Sequence, residues 1–319
     1  MDLSVIIPVF NEAKNIPILL KELEEVLGSS NLSYEILAID DGSQDETFKL
    51  LKEKLSQWKA LKVVRLRKNF GQTAALSAGF DLAEGDIIIT MDGDLQNDPR
   101  DIPALINKIK EGYDIVSGWR EKRRDPFFSR RLPSFLANGI ISWVTGVKLH
   151  DYGCTLKAFK KEVAKHLRLY GELHRFIPAV ASWMGVTIAE IPVHHRARKF
   201  GRSKYGISRT IRVLLDLITV KFLLTYSTRP IHVFGLWGIL SGLAGFALAC
   251  YLTIQRLFFT VPLANRPILL LAVLLIFIGI QFISMGLLGE LQVRTYHESQ
   301  GKPIYYIKEI FEHPDKETP

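Results

Sequence analysis

The chain has 319 residues, of which 48% are hydrophobic, and a formal net charge of +8. This length suffices for one catalytic domain and a smaller element, and the apolar share is high for a fully soluble protein. Only two cysteines are present, Cys154 and Cys250, which excludes a disulfide framework and a cysteine-based metal centre. The first residues lack the basic start and cleavage site of a signal peptide, so we expect the N-terminal half to stay in the cytosol.

The first ninety residues alternate short apolar strands with helical segments. The predicted strands cover residues 3–9, 35–39, 62–66 and 86–91, and the predicted helices cover 11–27, 44–55 and 73–82. We expect Ser43 to cap the second helix, because Glu46 follows it at the spacing of a capping box. This alternation predicts a mostly parallel sheet with helices on both faces.

Polar residues follow three of these strands, in the segments 8–12, 40–45 and 92–96. In a parallel sheet such segments meet at one edge, where ligands bind. Asp92 and Asp94 flank a glycine, so their carboxylates can converge, and oxygen ligands of this kind suit Mg²⁺ or Mn²⁺. Aspartate also forms turns, so each cluster alone has an equally good structural explanation. Three clusters together favour a nucleotide site, although the glycine-rich motifs of P-loop and dinucleotide-binding proteins are absent.

A basic segment precedes the apolar end of the chain. Between Arg196 and Arg229 there are nine Lys and Arg and one acidic residue, Asp216. Because the run leads directly into apolar sequence, it favours a membrane surface with anionic headgroups over nucleic acid. Residues 206–230 also mix cations and apolar residues at helical spacing, which predicts amphipathic helices lying at the membrane interface. Packing of this segment on the catalytic domain is the alternative.

Two segments, 232–255 and 267–289, contain no charged residue. Each exceeds the roughly 20 residues that cross a bilayer core, so residues 231–291 predict a hairpin of two transmembrane helices. A buried core helix is the alternative for each. Lys and Arg residues flank this hairpin on its N-terminal and C-terminal sides, and such cations favour the cytosolic side of a membrane. We therefore expect a cytosolic N-terminal domain and a cytosolic tail over 292–319. Gly238 and Gly242 allow close helix packing, either within the hairpin or in a homo-oligomer.

The ordered motifs of the chain resemble those of a known enzyme family. Four segments resemble motifs of the family 2 glycosyltransferases of GT-A fold: PVFNE (8–12), DDGSQD (40–45), LRKNFG (66–71) and DGDLQ (92–96). Later motifs and the two spans are similar to those of the polyprenyl-phosphate glycosyltransferases, which include the bactoprenol glucosyltransferases and the dolichol-phosphate mannose synthases. These motifs are GWR (118–120), SRRL (129–132), DYGC (151–154), HRF (174–176) and RKFGRSKY (198–205). The resemblance implies a Rossmann-like GT-A domain over residues 1–205. Lys157 and Thr155 depart from the family pattern, which often has arginine and glycine there.

The resemblance also implies a donor site for a nucleotide sugar. Its residues would be Pro8, Asn11, Glu12, Asp41, Asn69, Gly71, Asp92 and Gly93. Asp94 and Gln96 would ligate Mg²⁺ or Mn²⁺, which stabilises the departing nucleoside diphosphate as a Lewis acid.

The implied acceptor is a polyprenyl phosphate at the membrane surface. Cations that could bind its phosphate are Arg120, Arg130, Arg131, Arg198, Arg202 and Lys204. A phosphate monoester has a second pKa near about 6 and needs little deprotonation at neutral pH. The resemblance implies that Asp151 is a candidate base, and orientation of a neighbouring group or contact with a sugar hydroxyl is the alternative. With Asp94 and Arg120 it completes the expected catalytic set, and direct attack by phosphate predicts inversion at the anomeric carbon.

We expect transfer of a hexose to undecaprenyl or another polyprenyl phosphate, at the cytosolic face of a bacterial inner membrane. The segment 92–99 favours UDP-glucose as the donor over GDP-mannose, by analogy with the family. A processive synthase would carry a Q-x-x-R-W element and more spans, and a transporter would need intramembrane charges. A non-catalytic membrane scaffold on the same fold is the other alternative, and the intact Asp92, Asp94, Gln96 and Asp151 weigh against it.

Overall fold

The computed structural model describes residues 1–121, 139, 141–142, 146–167, 169, 173–197, 231–259, 262, 267–299 and 304–313. These residues fall into two compact units, one within 1–220 and 303–319 and the other within 221–302. The amphipathic segment predicted over 206–230 lies outside the described residues.

An eight-stranded sheet forms the centre of the first unit. Its strands are β1 (Leu3–Val9), β2 (Tyr34–Asp40), β3 (Leu61–Leu66), β4 (Ile87–Thr90), β5 (Ile115–Trp119), β6 (Lys157–Lys160), β7 (Ile188–Pro192) and β8 (Ile307–Phe311). Their order across the sheet is β7-β5-β6-β4-β1-β2-β3-β8. β6 runs antiparallel to β4 and β5, β8 runs antiparallel to β3, and the other pairs are parallel. The predicted mostly parallel sheet is confirmed, with each of the first four strands within one residue of its expected bounds.

Helices cover both faces of this sheet. They are α1 (Ile16–Gly28), α2 (Thr47–Leu55), α3 (Gln72–Leu82), α4 (Ile102–Lys110), α5 (Lys161–His166) and α6 (Ile177–Ala181). Successive side chains of β1 point to opposite faces of the sheet, because side chains alternate along a strand. Val5 and Ile7 belong to a buried core shared with α1, α2 and α4. Ile6 points to the other face, where it packs so closely on Gly79 of α3 that an added Cβ would overlap it.

Two predicted helix starts are wrong. The helix expected from residue 11 begins at Ile16, because Asn11 adopts a left-handed conformation with φ of 54°. The helix expected from residue 44 begins at Thr47, and its Ser43 cap is also wrong. The Ser43 hydroxyl instead accepts a hydrogen bond from the Asn11 N–H at 3.0 Å, so it joins two loops.

The segment 292–319, predicted as a tail, contributes a strand to the sheet. Residues 307–311 form β8, which pairs with the edge strand β3. The ring of Phe311 packs 5.6 Å from that of Phe48, and Glu312 forms an ion pair with Lys62. Tyrosine and isoleucine at 305–307 favour extended structure, but which strand they join is set by packing across the fold.

The second unit contains two long helices, α7 (Ile231–Phe259) and α8 (Pro267–Ser299). The segments Phe234–Phe259 and Pro267–Gly289 are long and apolar enough to cross a membrane. Their apolar side chains are largely exposed, since Phe258 is 78% and Leu270 is 73% accessible, so the alternative of buried core helices does not hold.

Glycines allow α7 and α8 to pack closely as an antiparallel pair. A Cβ on Gly238 would lie 2.7 Å from the Gly279 carbonyl oxygen, and one on Gly245 would lie 2.7 Å from the Ala272 carbonyl oxygen. The backbone of Gly242 lies at the same contact, because a Cβ on Gly279 would lie 2.9 Å from the Gly242 nitrogen. Gly238 and Gly242 therefore pack the hairpin against itself, which was one of the two predicted uses.

Candidate active site

The loops after β1 and β2 are joined by backbone-to-side-chain hydrogen bonds. Asn11 Oδ1 accepts the Gln44 N–H at 2.8 Å, and the Glu12 N–H donates to Thr47 Oγ1 at 2.8 Å. The left-handed φ of Asn11 turns the chain sharply directly after the strand that carries Pro8. Asn11 and Glu12 therefore shape the edge of the predicted donor site together with the segment 43–47.

Asp41, at the end of β2, anchors the loop after β3. Its Oδ1 accepts the Phe70 N–H at 2.7 Å and its Oδ2 accepts the Gly71 N–H at 2.9 Å. Burial raises the pKa of Asp41 to about 6, and the two hydrogen bonds offset part of that rise. Gly71 has a φ of 94°, which a residue with a side chain rarely adopts. This arrangement brings Asn69 and Gly71 to the same edge of the sheet as Asp41, as predicted for the donor site.

Two carboxylates follow β4. Asp92 Oδ1 accepts a hydrogen bond from Gln72 Nε2 at 2.7 Å, and burial followed by the charge of Asp94 raises the pKa of Asp92. Asp94 is buried, and its Oδ1 accepts the Gln96 N–H at 3.1 Å. Gly93 approaches Val9 so closely that an added Cβ would lie 3.0 Å from Val9 Cγ1. The three predicted polar clusters therefore do meet at the carboxyl edge of the sheet.

The described residues can supply only part of the coordination sphere of a metal ion. Within them, no group of three or more His, Cys, Asp or Glu is arranged to hold an ion. The Asp94 carboxylate and the Gln96 side chain offer hard oxygen ligands. Mg²⁺ typically binds one or two carboxylates and completes its sphere with substrate phosphates and water. The donor set is thus suited to an ion that arrives with a diphosphate.

Arg120, directly after β5, forms a two-pronged ion pair with Asp151. The Nε–Oδ2 distance is 2.6 Å and the Nη2–Oδ1 distance is 2.9 Å, while the Gly153 N–H also donates to Oδ1 at 3.1 Å. Burial would lower the pKa of Arg120, but the hydrogen bonds and charge of Asp151 raise it above its usual range. Arg120 is therefore a permanent, oriented cation, and both oxygens of Asp151 are engaged as acceptors.

Glu190, in β7, holds the segment that carries Asp151. Its Oε2 accepts the His150 N–H at 3.0 Å and its Oε1 accepts the Asp151 N–H at 2.9 Å. The His150 ring lies 2.7 Å from Oε2 through Nδ1 and stacks on Trp119 with ring centres 4.4 Å apart. Sequence reasoning missed Glu190. The available signal was a single acidic residue in an otherwise apolar strand.

The two residues that depart from the family pattern line a narrow recess beside Asp92, together with Gln72 and His174. Lys157 is 2% exposed, its ammonium donates to the Cys154 carbonyl oxygen, and burial lowers its pKa. Thr155 Oγ1 donates to Asn97 Oδ1 at 3.0 Å. Thr155 thus ties the segment 154–157 to Asn97, and Lys157 bridges the two ends of that segment.

The first cation of the basic run serves the fold. Arg196 pairs with Asp98 at 2.8 Å and with Glu22 at 2.7 Å. Arg120 is described by the structure, and the remaining cations predicted to bind the acceptor phosphate lie outside the described residues: Arg130, Arg131, Arg198, Arg202 and Lys204.

Comparison with solved structures shows the same fold in a synthase. Glucosyl-3-phosphoglycerate synthase of Mycobacterium tuberculosis, in complex with Mn²⁺, UDP and glucosyl-3-phosphoglycerate, matches with a TM-score of 0.55. The match covers 70% of this chain and 79% of that one at 17% identity, so it concerns the fold alone. The Rossmann-like GT-A sheet implied by the motifs is confirmed.

Sequence comparison extends the likeness to the whole chain. The chain is 41% identical to dodecaprenyl-phosphate galacturonate synthase of Rhizobium johnstonii, over 98% of this chain and 94% of that protein. It is 39% identical to undecaprenyl-phosphate 4-deoxy-4-formamido-L-arabinose transferase of Klebsiella pneumoniae, with the same two coverages. The model of the family described as glycosyl transferase family 2 matches residues 4–168. The chain therefore belongs to glycosyltransferase family 2.

Proposed function

We propose that the protein transfers a sugar from a nucleotide donor to a polyprenyl phosphate, with inversion at the anomeric carbon. The observation that carries this proposal is the placement of the Asp92 and Asp94 carboxylates after β4 and of Arg120, which is paired with Asp151, after β5. These two strands lie on either side of β6 in the same sheet. The first pair suits a metal-bound diphosphate, and the oriented guanidinium suits the attacking phosphate.

The membrane supplies the second substrate in this proposal. The two apolar helices would cross the bilayer as a hairpin, with the sheet domain and both termini in the cytosol of a bacterial cell. The names of both relatives, a synthase and a transferase, combine a polyprenyl phosphate with a sugar, which supports a lipid-linked acceptor. Arg120 would hold the acceptor phosphate near the donor, and Asp151 would fix the direction of its guanidinium.

A divalent metal belongs to the same proposal. The structural neighbour holds Mn²⁺ together with UDP, and Asp94 with Gln96 would serve as the protein ligands here. When bound, the ion supplies Lewis-acid stabilisation of the leaving diphosphate. Gln72 would keep Asp92 oriented toward the donor through its 2.7 Å hydrogen bond.

The donor is proposed to be a UDP-sugar. UDP-glucose is the choice favoured by the sequence, while the names of the relatives add galacturonate and 4-deoxy-4-formamido-L-arabinose as candidate sugars. Purified protein should therefore be incubated with undecaprenyl phosphate and UDP-glucose, UDP-galacturonate, UDP-4-deoxy-4-formamido-L-arabinose or GDP-mannose. Mass spectrometry of the lipid identifies the sugar, and NMR of the product identifies the anomer. Absence of product with every donor, or a retained anomeric configuration, would overturn the proposal.

A further inference from the structure

Two neighbouring tyrosines precede β8 and differ sharply in exposure. Tyr305 is 8% exposed, and its hydroxyl donates to Asp81 Oδ2 at 2.8 Å. Tyr306 is 60% exposed. Successive side chains of an extended segment point to opposite sides, so fixing Tyr305 inward turns Tyr306 outward.

Tyr306 lies against the loop that Asp41 anchors. The Tyr306 carbonyl oxygen accepts the Arg67 N–H at 3.0 Å, and its ring centre lies 6.2 Å from that of Phe70 at an angle of 45°. Phe70 is the residue whose N–H donates to Asp41. The Lys68 ammonium lies 5.1 Å from the centre of the Phe70 ring. The exposed Tyr306 ring, the half-buried Phe70 ring and a cation thus adjoin the predicted donor site.

This composition suits the flat face of a nucleobase. Bases stack on aromatic side chains, and such stacking does not depend on which base is present. Tyrosine supplies a large ring at a low cost in side-chain entropy, and its hydroxyl can stay in water. Packing within the fold does not require Tyr306 to be aromatic, because Tyr305 and β8 already attach the segment to the domain.

We propose that Tyr306 forms the outer wall of the donor site and stacks, with Phe70, on the nucleobase of the nucleotide sugar. The inference rests on the proposed function, because its ligand is the nucleotide of that donor. It assigns a substrate-binding role to a residue that follows both apolar helices in the chain.

Titration calorimetry of the full-length protein in detergent, with UDP and with inorganic pyrophosphate, tests this role. The variants are Tyr306→Phe, Tyr306→Leu and Tyr306→Ala, with Tyr305→Phe as the control. We expect Tyr306→Phe to bind UDP within about twofold of the wild type. The leucine and alanine variants should bind UDP about tenfold more weakly, since they lack the stacking face. Pyrophosphate affinity should stay unchanged in all four variants, and Tyr305→Phe should lower thermal stability without altering UDP affinity.

Two results would overturn the assignment. Wild-type UDP affinity in Tyr306→Leu would show that the tyrosine only packs on Phe70. Equal losses of UDP and pyrophosphate affinity would show that it positions the loop without touching the base. Failure of the wild-type protein to bind UDP would be a different result, because it would overturn the proposed UDP-sugar donor and the assignment together.

Discussion

Asp151 holds the guanidinium of Arg120 at two points, through distances of 2.6 Å to Nε and 2.9 Å to Nη2. A general base must present a lone pair to the proton that it removes. Here both carboxylate oxygens face Arg120, and Oδ1 also accepts the Gly153 N–H. The acceptor phosphate is largely ionised at neutral pH, since its second pKa is near about 6. We therefore expect Asp151 to position Arg120 and not to remove a proton.

The pH dependence of the Asp151→Asn variant separates these roles. Asparagine keeps one acceptor oxygen but removes the charge that fixes Arg120, so kcat should fall about tenfold or more. If Asp151 only positions Arg120, the normalised pH profile from 6.5 to 8.5 should match that of the wild type. An acidic limb present in the wild type and missing in the variant would identify a base. Arg120→Lys should raise the KM for the lipid, while Arg100→Lys, at an exposed arginine, is the matched control.

Replacing Glu190 by glutamine tests the support behind Asp151. The amide has one acceptor oxygen, so its NH₂ group would face the N–H of His150 or Asp151. We expect a loss of about 1–3 kcal/mol in the free energy of unfolding and a lower kcat/KM. Glu25→Gln, at an exposed site on α1, should change neither quantity. Full activity in the Glu190 variant would show that β7 does not orient the site.

Asp41 gives stability a defined dependence on pH. Its pKa rises from 3.8 to about 6 on folding, so the folded protein binds the proton more tightly than the unfolded chain. The stability of the wild type should therefore fall, relative to a non-titrating Asp41→Asn variant, as pH rises through this window. Between pH 5 and 7.5 the difference between the two free energies of unfolding should shift by about 1.4 kcal/mol against the wild type. Denaturant titrations in detergent at both pH values measure it, and a constant difference would contradict the prediction.

Asp94→Ala tests the catalytic and metal roles together. Loss of this ligand should lower kcat by about 10²–10³, the scale seen when charge stabilisation of a transition state is removed. Chelation with EDTA should abolish the activity of the wild type, and Mg²⁺ or Mn²⁺ should restore it. The variant should not respond to either ion. Unchanged turnover in Asp94→Ala would favour the scaffold alternative.

Two glycines of α7 form a matched pair for testing the hairpin. A Cβ on Gly238 would meet the Gly279 carbonyl oxygen at 2.7 Å, whereas one on Gly242 has nothing within 4 Å outside its own helix. Gly238→Ala should therefore destabilise the hairpin by about 1–3 kcal/mol. Gly242→Ala should be neutral or slightly stabilising, because alanine favours the helix. Thermal unfolding in detergent compares the two, and equal effects would indicate a different packing.

The first four strands and their polar ends could be predicted because each is a short apolar run closed by polar residues. Asp41, Asp92 and Asp94 were found for that reason. Glu190 and β8 could not be found this way, since their partners lie 39 or more residues away in the chain. Ser43 shows a further difficulty. A hydroxyl at the spacing of a helix cap can bond elsewhere, and here the left-handed turn at Asn11 supplies the competing N–H.

The position of β8 in the chain has a consequence for biosynthesis. Translation produces β8 after α7 and α8, so the edge of β3 stays without its neighbour while both apolar helices are made. An unpaired strand edge is a template for pairing with other chains. Insertion of the helices into the membrane would hold the nascent domain at the bilayer during that interval. A protein truncated before residue 304 would therefore keep the carboxylates proposed to be catalytic and still be prone to aggregate.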